Sequence, residues 1–193
     1  IPAQLGFITY QVTLAVAALG LARERELGTL AQLMVTPLSR LELILGKGIP
    51  AFVIGWANFC LMLVISVALF GVPLNGSPML LAALTAPFIA TVVGWGLFIS
   101  SLARTQQQAI LFVFILALVE IAFSGFLVPV DNMPALLQAV SRFAPLQHYL
   151  VIVRSVMLKG AGLSALRMEA LSLVVLSAIM GAVALRSVAL RLE

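Results

Sequence analysis

Charge is scarce in this sequence. Of its 193 residues 9% are charged, with eleven basic and seven acidic side chains, where a soluble domain carries about 25%. A water-soluble globule of this length has no polar coat to wear, so that class is excluded. Cysteine is almost missing as well: Cys60 stands alone in an apolar run. It rules out an intrachain disulfide, and burial as a small side chain is the expectation. The single histidine, His148, has no Cys, His or carboxylate cluster beside it, so it reads as an interfacial hydrogen-bonder rather than a metal ligand, and no metal site is expected. A basic segment ahead of the first apolar run, which a signal peptide needs, is absent too. The sequence starts at Ile1 almost inside that run, and the expectation is a chain whose N-terminal part is missing.

Apolar residues are what is present: 63% of the chain, with a mean hydropathy of +1.19. Crossing a bilayer takes about 20 consecutive apolar residues, and five runs qualify: Ala3–Ala22, Ile49–Gly71, Met79–Leu102, Ala109–Val128 and Met168–Leu185. The fold class is therefore an all-α, polytopic transmembrane helical bundle, treated as one domain over residues 1–193. Gln4, Thr9, Tyr10, Gln11 and Thr13 make the first run the most polar, which points it at other helices or at a wet path. The second opens with Pro50 in its first turn, and the third carries Pro87 as a kink. Ala82, Ala86, Ala90 and Gly94 form a small-residue stripe on the third, read as a packing surface. Ser164 is the expected N-cap of the fifth.

The connections differ. Residues 72–78 and 103–108 are short and polar, whereas 129–167 is long and largely apolar. In the long one Asp131 and Asn132 are expected to cap a helix with Pro134 in its first turn. A second helix over Leu146–Leu158 ends at Lys159-Gly160, a cation followed by a residue suited to the left-handed region. At about 1.5 Å per residue that helix is too short to cross, so 129–167 is an external helix pair, either re-entrant or lying at the interface.

The one sizeable charged and helix-patterned run is Arg23–Lys47. Leu27, Leu30, Leu33 and Met34 recur at helical spacing, while Arg23, Glu24, Arg25, Glu26 and Gln32 supply a polar side. This predicts an amphipathic helix over Arg23–Val35, stopped at Thr36-Pro37, and then a capping box at Ser39–Glu42 leading into the second span. Lying on lipid headgroups is one role for such an elbow. Its Arg-Glu-Arg-Glu start carries no net charge, however, which suits a protein groove better than an anionic surface. With the elbow cytoplasmic, seven basic residues lie on that side against four opposite. The start of this chain is then outside and its C-terminus cytoplasmic.

These residues carry a resemblance. Arg23–Leu33 followed by Val35–Ser39 resembles the cytoplasmic signature of ABC-2 type transporter permeases, in their drug-exporter branch. Ser124–Pro134, Pro145-Leu146 and Arg154…Leu158-Lys159-Gly160 resemble later segments of that branch, in the same order. The resemblance implies that Arg23, Glu24, Arg25, Glu26, Gly28, Thr29, Leu30 and Leu33 form a coupling helix seated in an ATP-binding cassette subunit. It also implies a second permease subunit, as homo- or heterodimer, a further helix and external domain upstream, and a bacterial inner membrane. Consistently, no G-x-x-x-x-G-K-[ST] loop occurs, since Gly46-Lys47 lacks the upstream glycine. ATP and magnesium would then be bound by the partner, with no cofactor, catalytic residue or nucleic-acid partner in this chain.

Glu120 is the one ionisable residue deep in a span. It is a candidate contact for cationic cargo or a proton, or else a structural group neutralised by Arg142 or Arg154. The function expected is export of a lipophilic or amphiphilic, drug-like compound. Alternatives are polysaccharide or lipid export in the same family, or a scaffold or channel without a nucleotide-driven partner. An intramembrane enzyme needs paired catalytic groups, and Glu120 stands alone.

Overall fold

The computed structural model describes residues 2–29 and 40–189. Seven α-helices are described: α1 (Pro2–Glu26), α2 (Arg40–Val64), α3 (Pro78–Leu102), α4 (Gln106–Phe123), α5 (Ala135–Ser141), α6 (Pro145–Lys159) and α7 (Arg167–Ala189). A π-helical segment, Ile65–Leu69, extends α2, and 3₁₀ turns occupy Val130–Asn132 and Leu163–Leu166. Among the described residues five helices are long and apolar enough to cross a membrane. The protein is an all-α polytopic bundle.

The bundle is arranged inside out relative to a soluble fold. Helices α1 and α3 form the centre, packed on each other, with more than half of each span buried. Around them α2, α4 and α7 leave most of their surface open, showing residues such as Leu61, Phe114, Leu118 and Val174. Such a broad apolar exterior fits lipid or further protein rather than water. Inside, small polar groups lie between helices: Thr9, Thr13, Thr85, Thr91, Ser100 and Ser101 are all buried. Lipid tails are as apolar as leucine, so hydrophobicity does not press these helices together; close packing and hydrogen bonds do. The expected small-residue stripe contributes through Gly94, where an added Cβ would come within 2.9 Å of Met180 on α7. A close approach of α1 to α3 lies off that stripe, at Gly96, against Ala17, Ala18 and Leu14.

Several local expectations are corrected. Pro50 lies well inside α2, which already starts at Arg40. Glycines 46 and 48 in the preceding turn leave room around the ring. Pro87, the expected kink, lies inside a continuous α3, and the Thr91 hydroxyl donates to its carbonyl at 2.8 Å. The fourth apolar run continues to Val128, but α4 stops at Phe123 because Gly125 turns the chain at φ +76°. Cys60 is exposed on the outward side of α2, not buried. Neither Asp131 nor Asn132 caps α5; both belong to the 3₁₀ turn, and Pro134 takes the N-cap position. Ser164 is likewise inside a 3₁₀ turn that leads into α7.

Helix α6 decides what the long connection does. Its residues Leu146, Tyr149, Leu150, Ile152, Val153, Val156 and Met157 are all buried, against α1, α3 and α7. Tyr149 stacks on Phe88 with ring centroids 3.9 Å apart and shares a 2.8 Å hydrogen bond with Thr85. Of the two placements open for the pair, α6 therefore enters the bundle. Helix α5 stays outside it, with Leu136 and Val140 exposed. At the far end of α6, Gly160 takes the left-handed conformation at φ +64°, and Asn75 bonds the Met157 and Leu158 carbonyls at 3.0 and 2.9 Å. Those carbonyls would otherwise be orphaned at a helix end.

Candidate functional site

The charged elbow begins as the last turn of α1 rather than as a separate helix. Arg23–Glu26 continue the first span, and Leu27–Thr29 then form a turn in which Gly28 adopts φ +74°. A residue without Cβ takes that conformation at no steric cost, so the amphipathic helix expected from Arg23 is broken at its sixth residue. Leu30, Leu33 and the rest of 30–39, including the capping serine Ser39, lie outside the described residues.

Three charges of this turn, Glu24, Arg25 and Glu26, go to three different helices. Arg25 Nη1 donates to the Ser101 carbonyl at 3.2 Å and the Ala103 carbonyl at 2.6 Å, the end of α3. Glu26 Oε2 accepts the Gln106 backbone N–H at 2.8 Å, the start of α4. A helix C-terminus leaves carbonyls unpaired and carries partial negative charge, while an N-terminus presents free N–H groups and positive charge. The Arg25-Glu26 dipeptide therefore matches both halves of one helix–turn–helix corner. Glu24 Oε1 forms a 2.6 Å ion pair with Lys47 on α2, and the Thr29 hydroxyl also donates to the Glu24 carboxylate. Just above, Ser100 Oγ on α3 accepts the Leu21 and Ala22 amides of α1 at 2.8 and 3.0 Å. One turn of α1 is thus tied to α2, α3 and α4 together. Arg23, Leu27 and Gly28 remain on the surface.

At the opposite end of α4 stands Glu120, 4% exposed. Its Oε2 accepts the backbone N–H of Leu146 at 3.3 Å. Leu146 is in the first turn of α6, whose own N-cap residue, Ala144, offers no side-chain acceptor. Glu120 thus supplies from α4 the cap that α6 lacks. The expected ion pair with Arg142 or Arg154 is not formed: Arg154 donates to the Gly125 carbonyl at 3.2 Å instead. His148 joins α6 to α7, with Nδ1 on the Glu169 carboxylate and Nε2 at 2.8 Å from the Arg142 carbonyl. Burial pushes the imidazole pKa down, but these two partners outweigh it and leave it above the usual histidine value. Among the described residues no group of three or more His, Cys, Asp or Glu can hold a metal.

A family model described as ABC-2 type transporter matches residues 2–158. The chain belongs to that family. It is 37% identical over 163 residues to the probable multidrug ABC transporter permease YbhR of Escherichia coli, covering 84% of this chain and 44% of YbhR. It is 32% identical over 134 residues to the linearmycin resistance permease protein LnrN of Bacillus subtilis, covering 69% of this chain and 34% of LnrN. With the inner membrane transport permease YhhJ of E. coli it shares 29% over 147 residues, 74% of this chain and 38% of YhhJ. The chain spans less than half the length of these relatives.

The ABC-2 match covers both ends of the bundle described above. What sequence reading missed in this ABC-2 chain are the acceptors and donors: Lys47 for Glu24, the Ser101 and Ala103 carbonyls for Arg25, Gln106 for Glu26 and Leu146 for Glu120. One signal was legible. Thr105 followed by Gln108 has the spacing of an N-terminal cap, and Thr105 Oγ1 accepts the Gln108 N–H at 3.2 Å.

Proposed function

We propose that this chain is the membrane-spanning part of a permease subunit in an ATP-driven exporter of lipophilic or amphiphilic, drug-like compounds. A separate ATP-binding cassette subunit binds ATP and magnesium and hydrolyses the nucleotide; this chain carries out no hydrolysis. The surface from Arg23 to Thr29 docks on that subunit, and a second permease subunit completes the transporter. The membrane is a bacterial inner membrane, with the elbow and the C-terminus on the cytoplasmic side. Family membership supports the class. The names of YbhR and LnrN, probable multidrug ABC transporter permease and linearmycin resistance permease protein, support the cargo class.

The observation that carries the coupling role is the convergence of three charged side chains of one helical turn on α2, α3 and α4. A body pushing on the Leu27–Thr29 turn cannot move α1 alone. Displacement passes through short, directional bonds into the bases of four helices, as a nucleotide-driven rearrangement of the bundle requires. The test uses the full-length permease co-expressed with its ATP-binding subunit. Leu27 is 62% exposed, so Leu27→Asp is expected to insert and fold normally while losing co-purification of that subunit and ATP-driven export. Retention of both by the variant would refute docking at this turn.

A further inference from the structure

At the end of the bundle remote from the elbow, a pocket of about 170 Å³ lies between the end of α4, the turn that follows it and α6. It is lined by one acid, Asp131, and one base, Arg154, together with Ser124 and Gln147. Asp131 and Arg154 share the pocket without pairing, and among the described residues neither takes part in an ion pair elsewhere. Arg154 is held in place by its Nη2 bond to the Gly125 carbonyl, 3.2 Å long. Gly125 presents that carbonyl because it turns at φ +76°. Two further polar atoms of the lining are buried with no partner: Ser124 Oγ, in a residue 2% exposed, and Gln147 Oε1.

Buried polar atoms without partners are costly, and opposite charges in one cleft ordinarily collapse onto each other. Here two buried atoms without partners, Ser124 Oγ and Gln147 Oε1, line one space with an acid and a base that do not pair with each other. Arg154 and the Ser124 hydroxyl offer donors for an anion; Gln147 Oε1 and the Asp131 carboxylate offer acceptors for a protonated amine. Water alone would supply hydrogen bonds but no charge. With about 30 Å³ per water molecule in the liquid, the volume exceeds what one or two bridging waters fill.

We propose that this pocket binds a small zwitterionic group, an anion and a primary ammonium joined by a short chain, with the anion at Arg154 and Ser124 and the ammonium at Asp131 and Gln147. A phospholipid headgroup and a soluble zwitterion share that chemistry. The site goes beyond the exporter reading and does not depend on it, since binding here needs neither nucleotide nor the ATP-binding subunit.

The test titrates full-length permease in phosphatidylglycerol nanodiscs by calorimetry. The probes are glycerophosphoethanolamine, glycerol 3-phosphate and ethanolamine. The zwitterion is expected to bind at least about tenfold more tightly than either half, and Asp131→Asn and Arg154→Gln each to lose about tenfold, the effect of one charged contact. Asp131 is exposed, so its variant folds even where the Arg154 variant does not. Nanodiscs of phosphatidylethanolamine separate the sources: loss of probe binding there identifies the lipid headgroup as occupant, and unchanged binding identifies a soluble zwitterion. Absence of saturable zwitterion binding, equal affinity for glycerol 3-phosphate, or indifference to Asp131→Asn would overturn the proposal. None of those outcomes bears on docking at Leu27.

Discussion

Helices α1 and α3 approach closely at Gly96, and a single methyl group tests that approach. A Cβ on Gly96 would overlap the Ala17 side chain and stand 3.1 Å from both the Ala18 nitrogen and the Leu14 carbonyl. Two of those three neighbours are backbone, so no rotamer change relieves the clash and α1 must shift. Overpacking of this kind costs about 1–3 kcal/mol. Against it stands the ordinary gain of about 0.5–1 kcal/mol when alanine replaces glycine inside a helix. The net for Gly96→Ala is therefore a loss of up to about 2.5 kcal/mol. Gly181 on α7 provides the control in the same protein: nothing lies within 4 Å of a Cβ placed there. Gly181→Ala should keep the whole helix gain and be stabilised. Both variants can be followed by equilibrium unfolding in bicelles, with ATP-driven export measured alongside. Opposite signs are expected, with export impaired only in the Gly96 variant. Equal stability of the two variants, or a greater loss at Gly181, would refute the claim that the α1–α3 approach is limited by backbone.

Three more expectations each concern one residue. Arg25→Gln removes the charged donor at the end of α3; a cost of about 1–3 kcal/mol and a several-fold fall in export per ATP hydrolysed should appear while the ATP-binding subunit still co-purifies. Glu120→Gln keeps an acceptor for the Leu146 N–H and should leave stability nearly unchanged, whereas Glu120→Leu leaves that N–H unpaired at a cost of about 1–3 kcal/mol. If the carboxylate also touches cargo, the Gln variant loses export of cations more than of neutral compounds, and equal losses return Glu120 to capping alone. For His148 the folded pKa is raised, so its stabilising effect is complete below the unfolded value of about 6.5 and is lost as pH rises through the higher folded value. Hydrogen exchange at the α6–α7 contact should accelerate over that interval, and His148→Gln should remove the dependence.

Much is legible in the amino-acid sequence itself. Length and hydropathy are local properties, so the five apolar runs, the charged Arg23–Lys47 break and the Lys159-Gly160 helix end could be read directly from the chain. Orientation within the bundle could not. In a soluble protein the face of a helix is written in the alternation of apolar and polar residues, but lipid and protein interior are alike in polarity. Periodicity therefore did not tell that Cys60 faces outward, that α6 is buried on several sides or that Gly96 rather than the alanine stripe admits α1.

The charged residues show the same division. Sequence alone determined that Arg23–Glu26 and Glu120 need partners, because a charge next to or within an apolar phase is costly unless it is met. Only the tertiary structure decided that three of those partners are helix ends: the C-terminus of α3 for Arg25, the N-terminus of α4 for Glu26 and the N-terminus of α6 for Glu120. Helix ends are backbone. Every residue type carries the same N–H and C=O save proline, so the groups that answer these side chains leave no mark in the amino-acid letters and come into being when the helices pack.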